Sequence, residues 1–189
     1  ARTLIGLEKA TSGEILFKGQ TVCVDGPGGR SISLKQLRQR VQIVFQDPYE
    51  SLNPRATIFD IVAEPLVVHG LARSSQERRA RVQASLDEAG LRPADDYLAR
   101  YPHELSGGQR QRVVIAAAMA LEPELLLADE PVSMLDVSIR AEILNLLSAL
   151  RRSRGISILF ITHDLGVVGH LADRLAVMYL GRIVEMGPT

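Results

Sequence analysis

Two segments of this chain, Leu125–Ala128 and Ile156–Ile161, are apolar or nearly so from end to end. A strand with one wet face alternates apolar and polar residues. A strand without that alternation is buried on both faces, as in a parallel sheet sandwiched between helices. Between the two runs, Ser138–Arg154 reads as an amphipathic helix with Ile139, Ile143, Leu147 and Leu150 on one side. Arg151, Arg152 and Arg154 suit the negative end of its dipole, and Gly155 stops it. Leu175–Leu180 reads as a third buried strand. Strand, helix, strand, helix, strand with short links predicts a parallel α/β sheet, which places ligands at the carboxyl ends of its strands.

The upstream half is organised differently. Ala1–Leu7 reads as the end of a helix whose beginning is missing, Ser12-Gly13 as a turn, and Glu14–Val22 as a hairpin around Lys18-Gly19. Gly26–Gly29 is a predicted loop, Ser33–Arg40 a short helix and Val41–Phe45 a strand that Pro48 brings to an end. Helices are then expected at Thr57–Val68, interrupted by Pro65, and from a capping box at Ser74-Ser75-Gln76-Glu77 to Gly90. Arg110–Leu121 is expected to be the helix that leads back to the apolar strands.

At 189 residues the chain suits a single domain with a substantial core. The 22 basic and 22 acidic residues balance, which argues against a nucleic-acid partner, whose binding surfaces carry a basic excess. Cys23 stands alone, so no intrachain disulfide is expected, and no Cys/His cluster suggests a metal. The longest apolar run, Val113–Leu121, is far shorter than a spanning helix of about 20 residues. Any membrane role is therefore expected to be indirect.

Chemistry concentrates at the strand ends. Asp129 and Glu130 follow the first apolar strand, His163 lies just past the second, and Gln46 ends the strand before the helical insert. If those strands are neighbours, the four groups converge on one edge. The set suits phosphoryl transfer to water. Asp129 can hold a water of a magnesium ion, and Gln46 can contact metal or water without competing for protons. Glu130 can orient and deprotonate the attacking water, and His163 can bond the γ-phosphate. A lone Asp-Glu after an apolar run is equally well an ordinary strand end. Ser106-Gly107-Gly108 precedes a helix and exposes backbone amides at the positive end of its dipole, an anion site that two glycines leave open to close approach. Alone it is equally an ordinary N-cap.

Order and context decide between these readings. Gln46, Leu105-Ser106-Gly107-Gly108-Gln109, Leu125–Glu130, Ser133-Met134-Leu135-Asp136 and His163 resemble, in sequence order, the Q-loop, signature, Walker B, D-loop and H-loop of the ATP-binding-cassette (ABC) ATPases. The resemblance covers essentially the whole chain. Phe45–Pro54, Tyr101–Glu104 and Asp136–Ile139 look like the oligopeptide, dipeptide and nickel importer subgroup.

The resemblance implies a P-loop NTPase (RecA-like) fold: a parallel-sheet core with an antiparallel β portion and an inserted helical lobe. Residues 1–46 and 113–189 would form the catalytic α/β lobe and 47–112 the helical lobe. It implies ATP as substrate, Mg2+ as cofactor, and a second ABC ATPase subunit, identical or paralogous, facing this one head to tail. Ser106, Gly107, Gly108 and Gln109 would then contact a nucleotide held by the partner, and Asp136 would touch the partner across the interface. Glu130, His163 and Gln46 would be catalytic, with Asp129 and Gln46 toward the metal. Further partners would be transmembrane permease subunits and, indirectly, an extracytoplasmic substrate-binding protein. The site of action would be the cytoplasmic face of the inner membrane.

The chain departs from the family pattern at three places. It holds no Gly-x-x-x-x-Gly-Lys-Ser/Thr loop, the Walker A motif, and the family places that motif directly before the stretch matching Ala1-Arg2-Thr3-Leu4. Truncation within that helix, not evolutionary loss, is the expectation, together with a missing C-terminal extension after Thr189. Met134 stands where a small residue is usual. Two other readings are a soluble, non-transport ABC ATPase and an inactive fragment.

Overall fold

The computed structural model describes residues 1–24 and 31–189; the loop expected at Gly26–Gly29 lies outside them. The first residues close as a helix closes. Leu7 N–H donates to Arg2 O at 3.0 Å, Gly6 N–H to Thr3 O at 3.1 Å, and Gly6 takes a left-handed φ of 67°, which together form a Schellman cap. The helix-end reading of this stretch therefore holds in its hydrogen bonds, although the segment is only a series of turns. β1 (Glu14–Phe17) and β2 (Gln20–Val24) form the expected antiparallel hairpin. Its turn residues, Lys18 and Gly19, have φ of 49° and 75°, the positive values that match strand twist in a two-residue turn. Then come α1 (Leu34–Arg40), with Ser33 and Gln36 in a reciprocal capping box, and β3 (Val41–Val44).

The insert is helical: α2 (Pro48–Ser51), α3 (Ile58–His69), α4 (Ser75–Glu88), α5 (Asp95–Leu98) and a 3-10 turn at Pro102–Glu104. Two local expectations change here. Pro65 does not interrupt α3, because Val62, Ala63 and Leu66 are buried in the helical core and that packing outweighs one forfeited backbone bond. The capping box at Ser74 is only half made: Ser74 accepts from Glu77 N–H, but Glu77 reaches past it to accept from Arg73 N–H at 2.8 Å. α6 (Gly107–Met119) leads out of the insert and runs unbroken past residue 112.

β4 (Leu125–Asp129) follows, then α7 (Val137–Arg154), β5 (Ser157–Ile161), α8 (Leu165–Leu171), β6 (Arg174–Tyr179) and β7 (Arg182–Pro188). Strands β3, β4 and β5 form a parallel sheet in that order, with Val44 opposite Ala128 and Asp129 opposite Ile161. The central strand confirms the argument from its apolar run. Leu126 and Leu127 are both fully buried, yet they belong to opposite clusters. Leu126 packs with the helices of the insert and α7. Leu127 packs with Ile5, Val22, Ile32, Leu37 and Val41.

The neighbouring expectations differ from what the described residues show, where β5 and β6 each have one covered face. Among the described residues β5 pairs only with β4; its Ile158 and Phe160 pack on the larger core, while Leu159 is 43% exposed. β6 is not the third parallel strand. Among the described residues it pairs only with β7, antiparallel, with Leu175 and Val177 half-buried and the other residues of the strand exposed. Leu180 does not end a buried strand: with Gly181 it forms a second positive-φ hairpin turn (47° and 76°).

Candidate functional site

The sheet order turns the strand-end motifs into neighbours. Gln46 lies two residues past Val44, Glu130 two past Ala128, and His163 two past Ile161. With hydrogen-bonded strands about 4.8 Å apart, Gln46, Asp129, Glu130 and His163 lie along one carboxyl edge. Side-chain contact is established for one pair. His163 Nδ1 is 3.1 Å from Glu130 Oε2, with the imidazole 74% exposed and the carboxylate 27% exposed. Gln46 is exposed and makes no side-chain hydrogen bond among the described residues.

Glu130 is fixed by its backbone. It is a non-glycine residue at φ 50°, a conformation costing roughly 1–2 kcal/mol. Three bonds hold it there: Glu130 N–H donates to Ile161 O at 2.9 Å, and Ser133 donates to Glu130 O through both its N–H (3.2 Å) and its hydroxyl (3.1 Å). The left-handed turn redirects the chain as it leaves β4, and the side chain reaches across to the end of β5. Backbone strain held in place by neighbours is a common property of functional residues.

The signature is built otherwise. Ser106 caps α6: its hydroxyl accepts from Gln109 N–H at 3.2 Å, and Gln109 Oε1 accepts from Ser106 N–H at 3.0 Å. Each polar side chain thus serves the other residue's backbone N–H, and the Gly107 and Gly108 amides are left without an intrahelical acceptor. Gly107 is open to substitution, since an added Cβ would sit 3.7 Å from Leu135 Cδ2. Gly108 is not. A Cβ there would lie 2.5 Å from Ile139 Cγ2, so this glycine serves close packing of α6 on α7 inside the chain, besides any approach of a phosphate. Among the described residues no hydrogen bond or ion pair joins Ser106–Gln109 to Asp129, Glu130 or His163.

Asp136 is the N-cap residue of α7, but its carboxylate makes no capping bond and the residue is exposed. Met134, at a position expected to be small, is 65% exposed and crowds nothing in its own chain. Two arginines make contacts that the sequence reading did not anticipate. Arg110 is buried against the Tyr49 ring, 3.8 Å from its centroid, and donates to Pro102 O at 3.1 Å. Arg140 pairs with Asp164, the residue after His163, at 3.2 Å. Both lie in the first turn of a helix, where the dipole disfavours a cation, and that mismatch was the available signal.

The donors fit magnesium better than a metal held wholly by protein. Among the described residues no group of three His, Cys, Asp or Glu side chains could hold an ion. A single strand-end carboxylate, with Gln46 beside it, matches a cation that keeps waters and takes its other ligands from phosphates. Away from this edge, Glu124 is held down to about pKa 2 by hydrogen bonds from Arg40 and then Lys18, joining α1 and the first hairpin to the start of β4.

Fold and motif order together define an ATP-binding cassette, and the comparison with known families agrees: the ABC transporter family matches residues 1–133. The chain belongs to that family. Among curated proteins it is 48% identical to the oligopeptide transport ATP-binding protein OppF of Bacillus subtilis and 52% identical to the glutathione import ATP-binding protein GsiA of Escherichia coli K12, each over 187 residues. Those alignments take in 99% of this chain but 60% of OppF and 29% of GsiA. Among solved structures, the cassette MJ0796, in a dimeric post-hydrolysis state bound to ADP and Pi, superposes with a TM-score of 0.81 at 29% identity, covering 99% of this chain and 78% of that one. CbiO1 of Clostridium perfringens, part of an ABC transporter complex, superposes at 0.82 and 32% identity, covering 99% and 70%.

Proposed function

We propose that these residues belong to the ATP-hydrolysing subunit of an importer for oligopeptides, dipeptides or a related small solute such as glutathione or nickel. The observation that carries this reading is the Glu130–His163 contact at adjacent strand ends, in a chain whose signature caps its own helix and leaves two amides free. Similarity to OppF and GsiA supports the substrate class.

In this reading Glu130 takes the proton of the attacking water, and the contact with His163 orients its carboxylate. The imidazole has Nδ1 toward Glu130, which leaves Nε2 for a phosphate oxygen. Asp129 and Gln46 lie where a nucleotide-bound magnesium would need ligands; the ion would neutralise charge building on the phosphates. The Gly107 and Gly108 amides meet the phosphates of a nucleotide held by a facing subunit, and Asp136 lies toward that subunit. Residues 1–46 and 113–189 make the hydrolytic lobe, and 47–112 the lobe that meets the permease. No helix among the described residues is long and apolar enough to cross a membrane. In this reading permease subunits supply the path, and this subunit works from the cytoplasmic face of the inner membrane while a binding protein delivers cargo outside.

The test is ATP-driven uptake of a labelled oligopeptide into vesicles holding these residues joined to a Walker A loop and purified with their membrane subunits. Uptake should be lost with Glu130→Gln. Uptake that ignores this substitution would overturn the reading.

A further inference from the structure

His163 is held by little of its own. Its ring is mostly exposed and touches Glu130 alone among the charged groups described, so its position depends on the backbone around it. That backbone is fixed from the next residue. Asp164 N–H donates to Thr162 Oγ1 at 3.0 Å, and Asp164 Oδ1 accepts from Gly166 N–H at 2.9 Å, capping α8. The other carboxylate oxygen, Oδ2, accepts from Arg140 Nη1 at 3.2 Å.

Arg140 does more than neutralise Asp164. Its Nη2 donates to Leu135 O at 3.5 Å, in the segment between Glu130 and α7. Its own N–H donates to Asp136 O at 2.8 Å. The residue before it, Ile139, is the one against which Gly108 packs. The first turn of α7 thus lies between the signature helix on one side and the turn carrying His163 on the other. Arg140 is a cation placed at the positive end of that helix, where the dipole opposes it, and its Nε is buried without a partner. Partly exposed ion pairs contribute little to stability, so this placement needs another reason.

We infer that Arg140 is a positioning residue for ATP hydrolysis, holding the turn of His163 in register with the Ser133–Asp136 segment through Asp164 and the Leu135 carbonyl. It touches no reacting group. It fixes the distance between the element that faces the partner subunit and the element that carries His163, so that engagement of the first sets the second. The inference rests on the reading of Glu130 and His163 as the hydrolytic pair.

The test is a double-mutant cycle in the protein carrying these residues with a Walker A loop, measured as steady-state phosphate release against Mg-ATP concentration. Arg140→Gln removes the cation; Asp164→Asn removes the charge but keeps an acceptor for the α8 cap. Each should lower kcat about fivefold or more with KM nearly unchanged, and the double variant should be no slower than the worse single one. Arg140→Lys should recover part of the loss. Additive losses, an unchanged kcat in Arg140→Gln, or an effect confined to KM would overturn the role of Arg140. If Glu130→Gln, run alongside, hydrolyses at the wild-type rate, it is the underlying reading of the site that fails.

Discussion

The signature and the strand-end cluster face the same chemistry with opposite construction. At the signature the polar side chains are taken up by the helix start: Ser106 and Gln109 each accept from the other's backbone N–H, and Gly108 admits Ile139. What remains for a ligand is backbone. At the strand ends the backbone is fixed by three hydrogen bonds to Glu130, and what remains is side chain, a carboxylate and an imidazole partly open to water. The first is suited to receive charge and the second to move a proton. A rigid set of amides can serve a nucleotide brought by another subunit, whereas a base must be aimed at its water by neighbours in its own chain.

If that division holds, the largest effect belongs to the base. In the protein with a Walker A loop, Glu130→Gln should reduce phosphate release by ~10²–10⁴-fold while ATP binding persists, because the amide keeps the shape and loses the proton acceptor. Turnover at the wild-type rate would remove Glu130 from the role and erase the contrast.

The two glycines sharpen the comparison. Gly107→Asp should impair hydrolysis, by adding a side chain and a negative charge at the amides, while leaving the thermal midpoint nearly unchanged. Gly108→Ala should lower stability by about 1–3 kcal/mol, since its Cβ must displace Ile139. Thermal melts of both variants check this. Equal destabilisation would mean that Gly107, too, is a packing glycine. Ser106→Ala should then cost about 1 kcal/mol through loss of the cap.

The 189 residues alone offer a further check. They should bind Mg-ATP more weakly than micromolar, which corresponds to about −8 kcal/mol, because neither region supplies the amide ring and lysine that grip the β- and γ-phosphates. Calorimetric titration measures it. Micromolar affinity would mean that a phosphate site exists elsewhere in these residues.

The smallest expected effect lies away from both regions. The carboxyl of Glu124 is lowered from 4.5 to about 2 by Arg40 and then Lys18, so it adds stability that is fully present above its unfolded value. That stability drains as pH falls from the usual carboxylate range toward 2. The side chain is about one-third exposed, so solvent screening keeps the contribution modest and added salt should shrink it. Denaturant melts from pH 5 to pH 2 should show a steeper loss in the native protein than in Glu124→Gln. Parallel curves would show that the cluster contributes nothing.

Sequence reading placed the strand-end residues beside one another more fully than it placed the sheet. Leu125–Ala128 could be placed because it is covered on both faces, and composition records coverage directly. Ile156–Ile161 has a similar composition but, among the described residues, one covered face, and composition does not record which strands lie beside it. Arg174–Tyr179 is apolar after its first residue although only Leu175 and Val177 are half-buried, and its Leu180-Gly181 turn lacks the Asn-Gly or Asp-Gly pair that marks such hairpins most clearly. The placement of Gln46, Asp129, Glu130 and His163 was legible because each closely follows an apolar run whose end can be read from its residues. Arg140 and the contact of Ile139 with Gly108 were not, since both depend on which helix faces which, and helical periodicity does not specify a partner.

The central claim is that signature and strand-end cluster serve different nucleotides, one in each subunit of a head-to-tail pair. It can be tested by mixing. Gly107→Asp and Glu130→Gln proteins, both with a Walker A loop, are prepared separately and then combined, and phosphate release is followed. In a mixed dimer one site unites an intact Glu130 with an intact signature from the other subunit. Each variant alone should be nearly inactive, and the mixture should regain a substantial part of wild-type hydrolysis. A mixture that forms dimers yet stays as inactive as its components would place signature and base on the same nucleotide and contradict the account.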